Sequence, residues 1–280
     1  MLSKPSKNFL LLNVSLALIT VLATALIFSE ITAKKYITEL QSSAGNVRAT
    51  VKTLESDVEL PLLDDPNATS SSRAADAKKI KNAIAACRAK INDLSAESST
   101  LPSLTYAEYI GTFAVADTLK ERSLHVINQT NDTLERYDET ITFLEVYATS
   151  LEKSTKIMDE FNTINDFNDY AGRSNYFRQM SSDLQAEVDT LTAVKTPAEL
   201  VAIKDSAIQT LQRLSTQINN LAHGMDVAID DMIYGSVREI EASNAQLTAL
   251  VEKDYSETIS QLRVVQDIYD LNEKFDLILL

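Results

Sequence analysis

Apolar residues recur along most of this chain at intervals of three and four, and no other feature limits its fold so tightly. One run reads Ile37, Leu40, Ala44, Val47, Val51, Leu54 and Val58. A second reads Ala77, Ile80, Ile84, Cys87, Ile91 and Leu94. Spacing of this kind places every apolar side chain on one stripe of an α-helix and drives helices to wrap around one another. The chain has 5 Gly and 5 Pro in 280 residues. Sheets need many turns, and turns draw on both residue types. Few connections and long elements are therefore expected, and long elements in a chain of this size are helices.

The same spacing marks out further helices. Ile127, Thr130, Leu134, Tyr137, Ile141, Leu144, Ala148, Leu151, Thr155 and Met158 belong to a segment beginning near Thr105. Phe177, Met180, Leu184, Val188 and Leu191 form another. A fifth opens on Thr196, Pro197, Ala198 and Glu199, which read as a capping box with Thr196 as N-cap. It continues through Leu211, Leu214, Ile218, Leu221 and Met225 to Met232, with Gly224 and Gly235 marking a kink or break. The last carries Val237, Ile240, Leu247, Val251, Ile259, Leu262, Val265, Ile268 and Phe275. Pro61, Pro66, Pro102 and the Asn- and Asp-rich stretch 162–173 punctuate the series.

Ahead of these seams, residues 9–28 carry no charge. That is close to the ~20 apolar residues needed to cross about 30 Å of hydrocarbon as a helix. Phe9, Leu10, Leu11, Leu12, Leu16, Leu18, Ile19, Val21, Leu22, Leu26, Ile27 and Phe28 supply the anchor. A cleavable signal peptide is the competing reading, with Ala23, Thr24 and Ala25 as the small-residue cleavage pattern. Cleavage there would split an apolar run that continues to Phe28, so an uncleaved anchor is expected. Lys4 and Lys7 precede the segment and Lys34 and Lys35 follow it. The short leader favours a cytoplasmic N-terminus and an extracytoplasmic bulk domain.

The expected fold is all-α: one N-terminal transmembrane helix continuing into an elongated antiparallel bundle of about five to six helices with coiled-coil-like packing. The divisions are a short tail 1–8, the membrane helix 9–28, a stalk helix 29–60, and the bundle 61–280. Within the bundle, 73–160 and 174–280 suggest a duplicated hairpin. A helix of 50 residues would be about 75 Å long at 1.5 Å per residue.

The formal charge is −14. The first 35 residues hold four of the 26 basic side chains and one of the 40 acidic ones, so the remainder carries a net −17. Such a surface repels phosphate backbones, which excludes ordinary nucleic-acid binding. It also repels anionic headgroups, so the bundle is expected to stand off the membrane. With one cysteine, Cys87, no internal disulfide and no Cys-based metal cluster can form. Cys87 lies in an apolar seam and reads as a small core residue.

Motifs that carry chemistry are absent. His125 and His223 are the two histidines, and neither sits in the Glu-x-x-His or His-Glu-x-x-His spacing of di-iron and zinc sites. Asp166, Asn168 and Gly172 miss the calcium-loop register, since Tyr170 and Phe177 occupy ligand positions. Asp226, Asp230 and Asp231 lie at helical spacing and read as a solvated face. No phosphate-binding glycine loop or nucleophile elbow is present. No cofactor and no enzymatic activity are expected.

Two features remain as a candidate interaction surface. Tyr106, Tyr109 and Phe113 cluster at the start of the third helix, and Tyr170 and Tyr176 lie beside Gly172. The apolar C-terminus contributes Phe275, Leu277 and Leu280. Core packing for the aromatics and docking onto the bundle for the tail are the plain alternatives. These observations lead to a membrane-anchored, non-enzymatic binding or scaffold module of the cell envelope, with a protein partner or a second copy of itself. Nothing in the sequence points to a small-molecule ligand. In architecture the anchored bundle with its stalk helix also resembles the sensory portions of bacterial chemoreceptors, which implies ligand sensing through a partner. No motif carries that resemblance, and a second membrane span and a cytoplasmic signalling region are missing. A carboxylate-based enzyme built on Asp226 and Asp230 is the third and least supported reading.

Overall fold

The computed structural model describes residues 7–58, 70–100, 111–164, 170–252, 266–268, 270–271 and 273–275. Within them the secondary structure is helical throughout: α1 (Lys7–Val58), α2 (Ser70–Thr100), α3 (Gly111–Asn162), α4 (Tyr170–Ala193), α5 (Val201–Val227) and α6 (Asp230–Glu252). Residues 266–268, 270–271 and 273–275 are also helical. The all-α expectation agrees with this architecture. The expected start of the third helix near Thr105 and the proline loops at Pro61, Pro66 and Pro102 lie outside the described residues.

The chain divides into two compact units. The first comprises Met1–Lys52, Ala86–Asn131 and Asp270–Leu280, and the second Thr53–Ala85 and Asp132–Tyr269. In the first, the core is lined by Ala33, Leu40, Ala44, Val47 and Val51 of α1, Cys87, Ile91 and Leu94 of α2, and Leu119, Val126 and Ile127 of α3. Most are positions the three-and-four spacing selects; Ala33, Leu119 and Val126 join them, and Ile37 is only half-buried. Leu271 and Phe275 are also fully buried there.

The second unit contains the hairpins. Lys153 of α3 donates to Glu187 of α4 at 3.0 Å, Tyr176 donates to Glu160 at 3.1 Å, and the rings of Phe161 and Phe177 lie 5.7 Å apart. Residue numbers rise on one helix as they fall on the other, so α3 and α4 run antiparallel. A further ion pair, Lys81 to Glu145 at 2.8 Å, joins α2 to α3, and Arg136 bonds Asp267 at 2.6 Å. These pairs sit on partly exposed rims and contribute little, on the order of 0–1 kcal/mol each. The apolar seams, Leu134 to Phe161, Phe177 to Leu191 and Leu211 to Met225, supply the main stabilisation.

Two expectations about helix ends need correction. Thr196 does not cap α5. Its hydroxyl donates to the Val194 carbonyl at 3.1 Å, and Pro197 (φ −56°, ψ 145°) instead leads into a short 3-10 turn at Ala198–Leu200. Lys204 reaches back from α5 and donates to the carbonyls of Thr192 and Val194 at 3.1 and 2.8 Å. The carbonyls at the end of α4 thus have a charged donor. The second correction concerns the break after Met225. It falls at neither Gly224 nor Gly235 but at Ala228, which takes up the left-handed conformation (φ 54°, ψ 46°) and ends α5.

For the expected membrane helix the finding is narrower. Among the described residues no helix is long and apolar enough to cross a membrane. α1 is helical from Lys7, but the side chains of Phe9, Leu10, Leu11 and Leu12 lie outside the described residues. The stretch that remains, Leu16 to Phe28, is shorter than the ~20 residues a bilayer requires.

Candidate functional site

Where α1 precedes the first buried position, Ala33, its apolar side chains face outward. Leu16, Leu18, Ile19, Val21, Leu22, Leu26, Ile27, Phe28 and Ile31 are between 50% and 72% exposed. At 100° per residue these positions leave no arc wider than roughly 60° free of an apolar side chain. An amphipathic helix shows one apolar stripe, whereas this one is apolar all round. Its threonine hydroxyls are satisfied within the helix. Thr20 donates to the Leu16 carbonyl, Thr24 to that of Thr20, and Thr32 to that of Phe28, each at 2.8 Å. A hydroxyl closed onto its own helix needs no water. Lys34 and Lys35, with Glu30 and Glu39 as ion-pair partners, begin the polar surface.

Of the candidate interaction residues, Tyr176 is 42% exposed, with its hydroxyl donating to Glu160. Its phenol is held above its ordinary value, chiefly by desolvation and then by that carboxylate. Phe275 is fully buried, which is the docked alternative for the chain end, and it presents no free surface. Tyr106, Tyr109, Leu277 and Leu280 lie outside the described residues, as do the side chains of Phe113 and Tyr170. Among the described residues, Tyr176 is the candidate aromatic that stands exposed and Phe275 the one that is buried.

The α4–α5 hairpin holds two polar constellations that spacing alone does not show. Ser181 donates to the Ser215 carbonyl at 2.8 Å and Ser215 donates to the Ser181 carbonyl at 2.9 Å, with the two hydroxyl oxygens 3.0 Å apart. Both residues are buried. Small side chains let the two helices approach until each hydroxyl reaches the other backbone. Beside this crossing runs an open groove of about 590 Å³, lined by Arg178, Ser182, Gln185, Asp189, Thr216 and Asn219 among others. Its wall combines the charged Arg178 and Asp189 with hydroxyls and amides and holds no aromatic ring, unlike the apolar pockets that enclose small molecules.

At the other end of the hairpin, Arg178 pairs with Asp226. The Asp226 carboxyl is held below its ordinary value by a hydrogen bond from Ser174, and then by the charges of Arg178 and His223. This cluster ties the start of α4 to the last turn of α5. Asp230 and Asp231 occupy the first turn of α6, where negative charge complements the helix dipole. His125 contacts Gln129 at 2.9 Å on an exposed face. Among the described residues no three His, Cys, Asp or Glu side chains gather as a metal-binding group.

Cys87 is buried in the first unit, and burial pushes its thiol up to about 12 despite the nearby Arg88. A thiol held neutral is a poor nucleophile.

No family model, curated protein or solved structure matches the chain. Its function must be argued from these surfaces.

Proposed function

We propose that this protein is a single-pass membrane-anchored helical bundle that serves as a non-enzymatic binding or scaffold module on the extracytoplasmic side of the cell envelope. The observation that carries the reading is the all-round apolar exposure of α1 between Leu16 and Ile31. A helix whose apolar side chains stand exposed on every side is suited to lipid. Together with Phe9, Leu10, Leu11 and Leu12 it reaches the length of a span. The threonine hydroxyls closed on backbone carbonyls suit a solvent without hydrogen-bonding partners. Orientation follows from the acidic bundle, which anionic cytoplasmic lipid repels.

The binding role draws support from the distribution of polar groups. The ion pairs Lys153–Glu187 and Arg136–Asp267 each bridge separate parts of the unit, whereas a catalytic site converges several such groups on one cleft. Exposed apolar residues such as Tyr176, Ile229 and Tyr234 offer contact surface for a protein partner.

The test uses the full chain with a C-terminal tag in intact cells. The protein is expected to stay in the membrane through alkaline extraction, and external protease is expected to remove the tag. Release of the wild-type chain at alkaline pH would sink the anchor. A tag protected until lysis would reverse the orientation. Replacing Ile19 and Leu22 with Lys should abolish membrane retention and leave helical circular dichroism unchanged.

A further inference from the structure

Along α1 the chain passes from fully exposed to packed within two residues. Ile31 is 62% exposed and Ala33 is 1% exposed. The neighbours of an alanine within its own helix leave part of it open, so an alanine buried this deeply has a second element beside it. Leu40, Ala44, Val47 and Val51 continue the buried stripe, and α1 is unbroken between them and Phe28. The packing of the first unit thus begins five residues beyond Phe28, a rise of about 7.5 Å at 1.5 Å per residue. As a helix, residues 9–28 span about 30 Å, which matches the hydrocarbon thickness, and a headgroup layer of roughly 5–7 Å lies beyond it. With this span seated in a bilayer, packing starts at the outer edge of the headgroups. No bare length of α1 holds the unit away.

The course of the other helices shows which element comes down beside the anchor. Within the first unit α1 leaves at Lys52, α2 enters at Ala86 and α3 leaves at Asn131. The ends of α2 and α3 inside this unit, Thr100 and Gly111, therefore lie on the anchor side. Ala33 is 19 residues before Lys52, and Gly111 is 20 residues before Asn131. At 1.5 Å per residue the first turn of α3 stands level with Ala33 to within about 2 Å.

The same division separates charge. The first unit holds 11 basic and 10 acidic side chains and the second 15 and 30, so the −14 of the whole chain is made of +1 and −15. Repulsion from anionic lipid falls on the second unit, and the first has none to overcome. At the junction the charges on α1 are matched within the helix, Lys34 with Glu30 at 2.8 Å and Lys35 with Glu39 at 3.7 Å. A surface balanced in this way touches headgroups without selecting for their charge.

We propose that the anchor end of the first unit, formed by α1 around Ala33 and the first turn of α3, rests on the phospholipid headgroups in a contact independent of lipid charge. The contact fixes the unit against the membrane surface. This inference rests on the anchored reading above and adds a second, peripheral contact with the same bilayer.

The experiment reconstitutes the full chain in phosphatidylcholine vesicles with a thiol-reactive fluorophore on Leu22→Cys, Thr118→Cys or Asn128→Cys. All three positions are exposed, so folding is retained, and the native Cys87 is buried away from the label. Asn128 lies ten residues beyond Thr118 on α3, about 15 Å further from the anchor end. Lipid carrying a nitroxide on its headgroup is expected to quench the label at 118 several-fold more than the label at 128. That ratio should be the same with anionic lipid added and at high salt. Lipid carrying the nitroxide on its acyl chain should quench the label at 22. Quenching at 22 with equal, weak headgroup quenching at 118 and 128 overturns the proposal and leaves the anchor in place. Quenching at 118 that needs anionic lipid or vanishes in salt also overturns it, because the contact would then be electrostatic. No acyl-chain quenching at 22 refutes the anchor, and the proposal falls with it.

Discussion

Replacing Ala228 with Gly should stabilise the protein, although it removes a methyl group and adds no contact. Ala228 sits at φ 54°, ψ 46° and ends α5. In that region an L-residue carries a penalty of roughly 1–2 kcal/mol from Cβ against the neighbouring carbonyl. Glycine removes that penalty, but its freer unfolded chain returns about 0.5–1 kcal/mol. Ala228 is exposed, so no packing is lost. The net expectation is a gain of about 1 kcal/mol, or roughly 2–4 °C in Tm for a domain of this size. Ala228→Val should move the other way, because a β-branched side chain fits this region worse than alanine. The assay is thermal and denaturant unfolding of the full chain in detergent. Hydrogen exchange at the Ile229 amide, which donates to Gly224, would follow the turn itself. An unchanged or lower midpoint for the glycine variant, with that amide still protected, would refute the claim that the turn is strained.

Three further outcomes are expected. Gly235→Ala should raise stability by up to ~1 kcal/mol through helix propensity, since its Cβ would meet nothing within 4 Å. Gly224→Ala should fail to deliver that gain, because its Cβ would press on buried Ile233; paired unfolding curves compare the two. Cys87 should resist alkylation at neutral pH until the chain unfolds. With its folded pKa raised to about 12, the stability linked to the neutral thiol is complete below the unfolded value near 9 and is lost as pH rises towards 12, which unfolding midpoints across that range would show. The Asp226 carboxyl, held low by Ser174, Arg178 and His223, has the opposite sign. Its contribution is present above the unfolded carboxylate pKa and is lost as pH falls through the depressed folded value. In Ser174→Ala or Arg178→Ala an NMR titration should find Asp226 moved back towards the ordinary carboxylate range.

The buried positions of α2, from Ala77 through Ile80, Ile84, Cys87 and Ile91 to Leu94, match the sequence spacing residue for residue. A period of 3.6 residues is a local property of the backbone, so the apolar stripe can be read from the chain without knowing what covers it. The all-α class and most seam positions among the described residues were legible in the same way, although Val251 of the last seam is exposed and Met232 and Val237 are only half-buried. The candidate interaction residues were not. Phe275 and Tyr176 are both apolar residues near helix ends, yet one is fully buried and the other 42% exposed. What separates them is the neighbouring helix, which sequence spacing does not name.

Helix ends behaved similarly. Thr196, Pro197 and Glu199 carry a strong capping signature, but the Thr196 hydroxyl bonds the Val194 carbonyl and a 3-10 turn at Ala198–Leu200 precedes α5; the end of α4 is met by Lys204, reaching back from α5. The reciprocal Ser181 and Ser215 bonds join residues 34 apart, and nothing in either sequence neighbourhood announces them. The left-handed turn falls on an alanine although Gly224 and Gly235 stand on either side. Gly224 is needed where α5 and α6 approach most closely, and the reversal must come after that contact. The sequence by itself thus determined which residues turn toward a core and that the elements are helices, because both follow from local periodicity. Tertiary structure alone decided which faces stay open, where α5 reverses and which polar groups meet, because each depends on distances between segments remote in the chain.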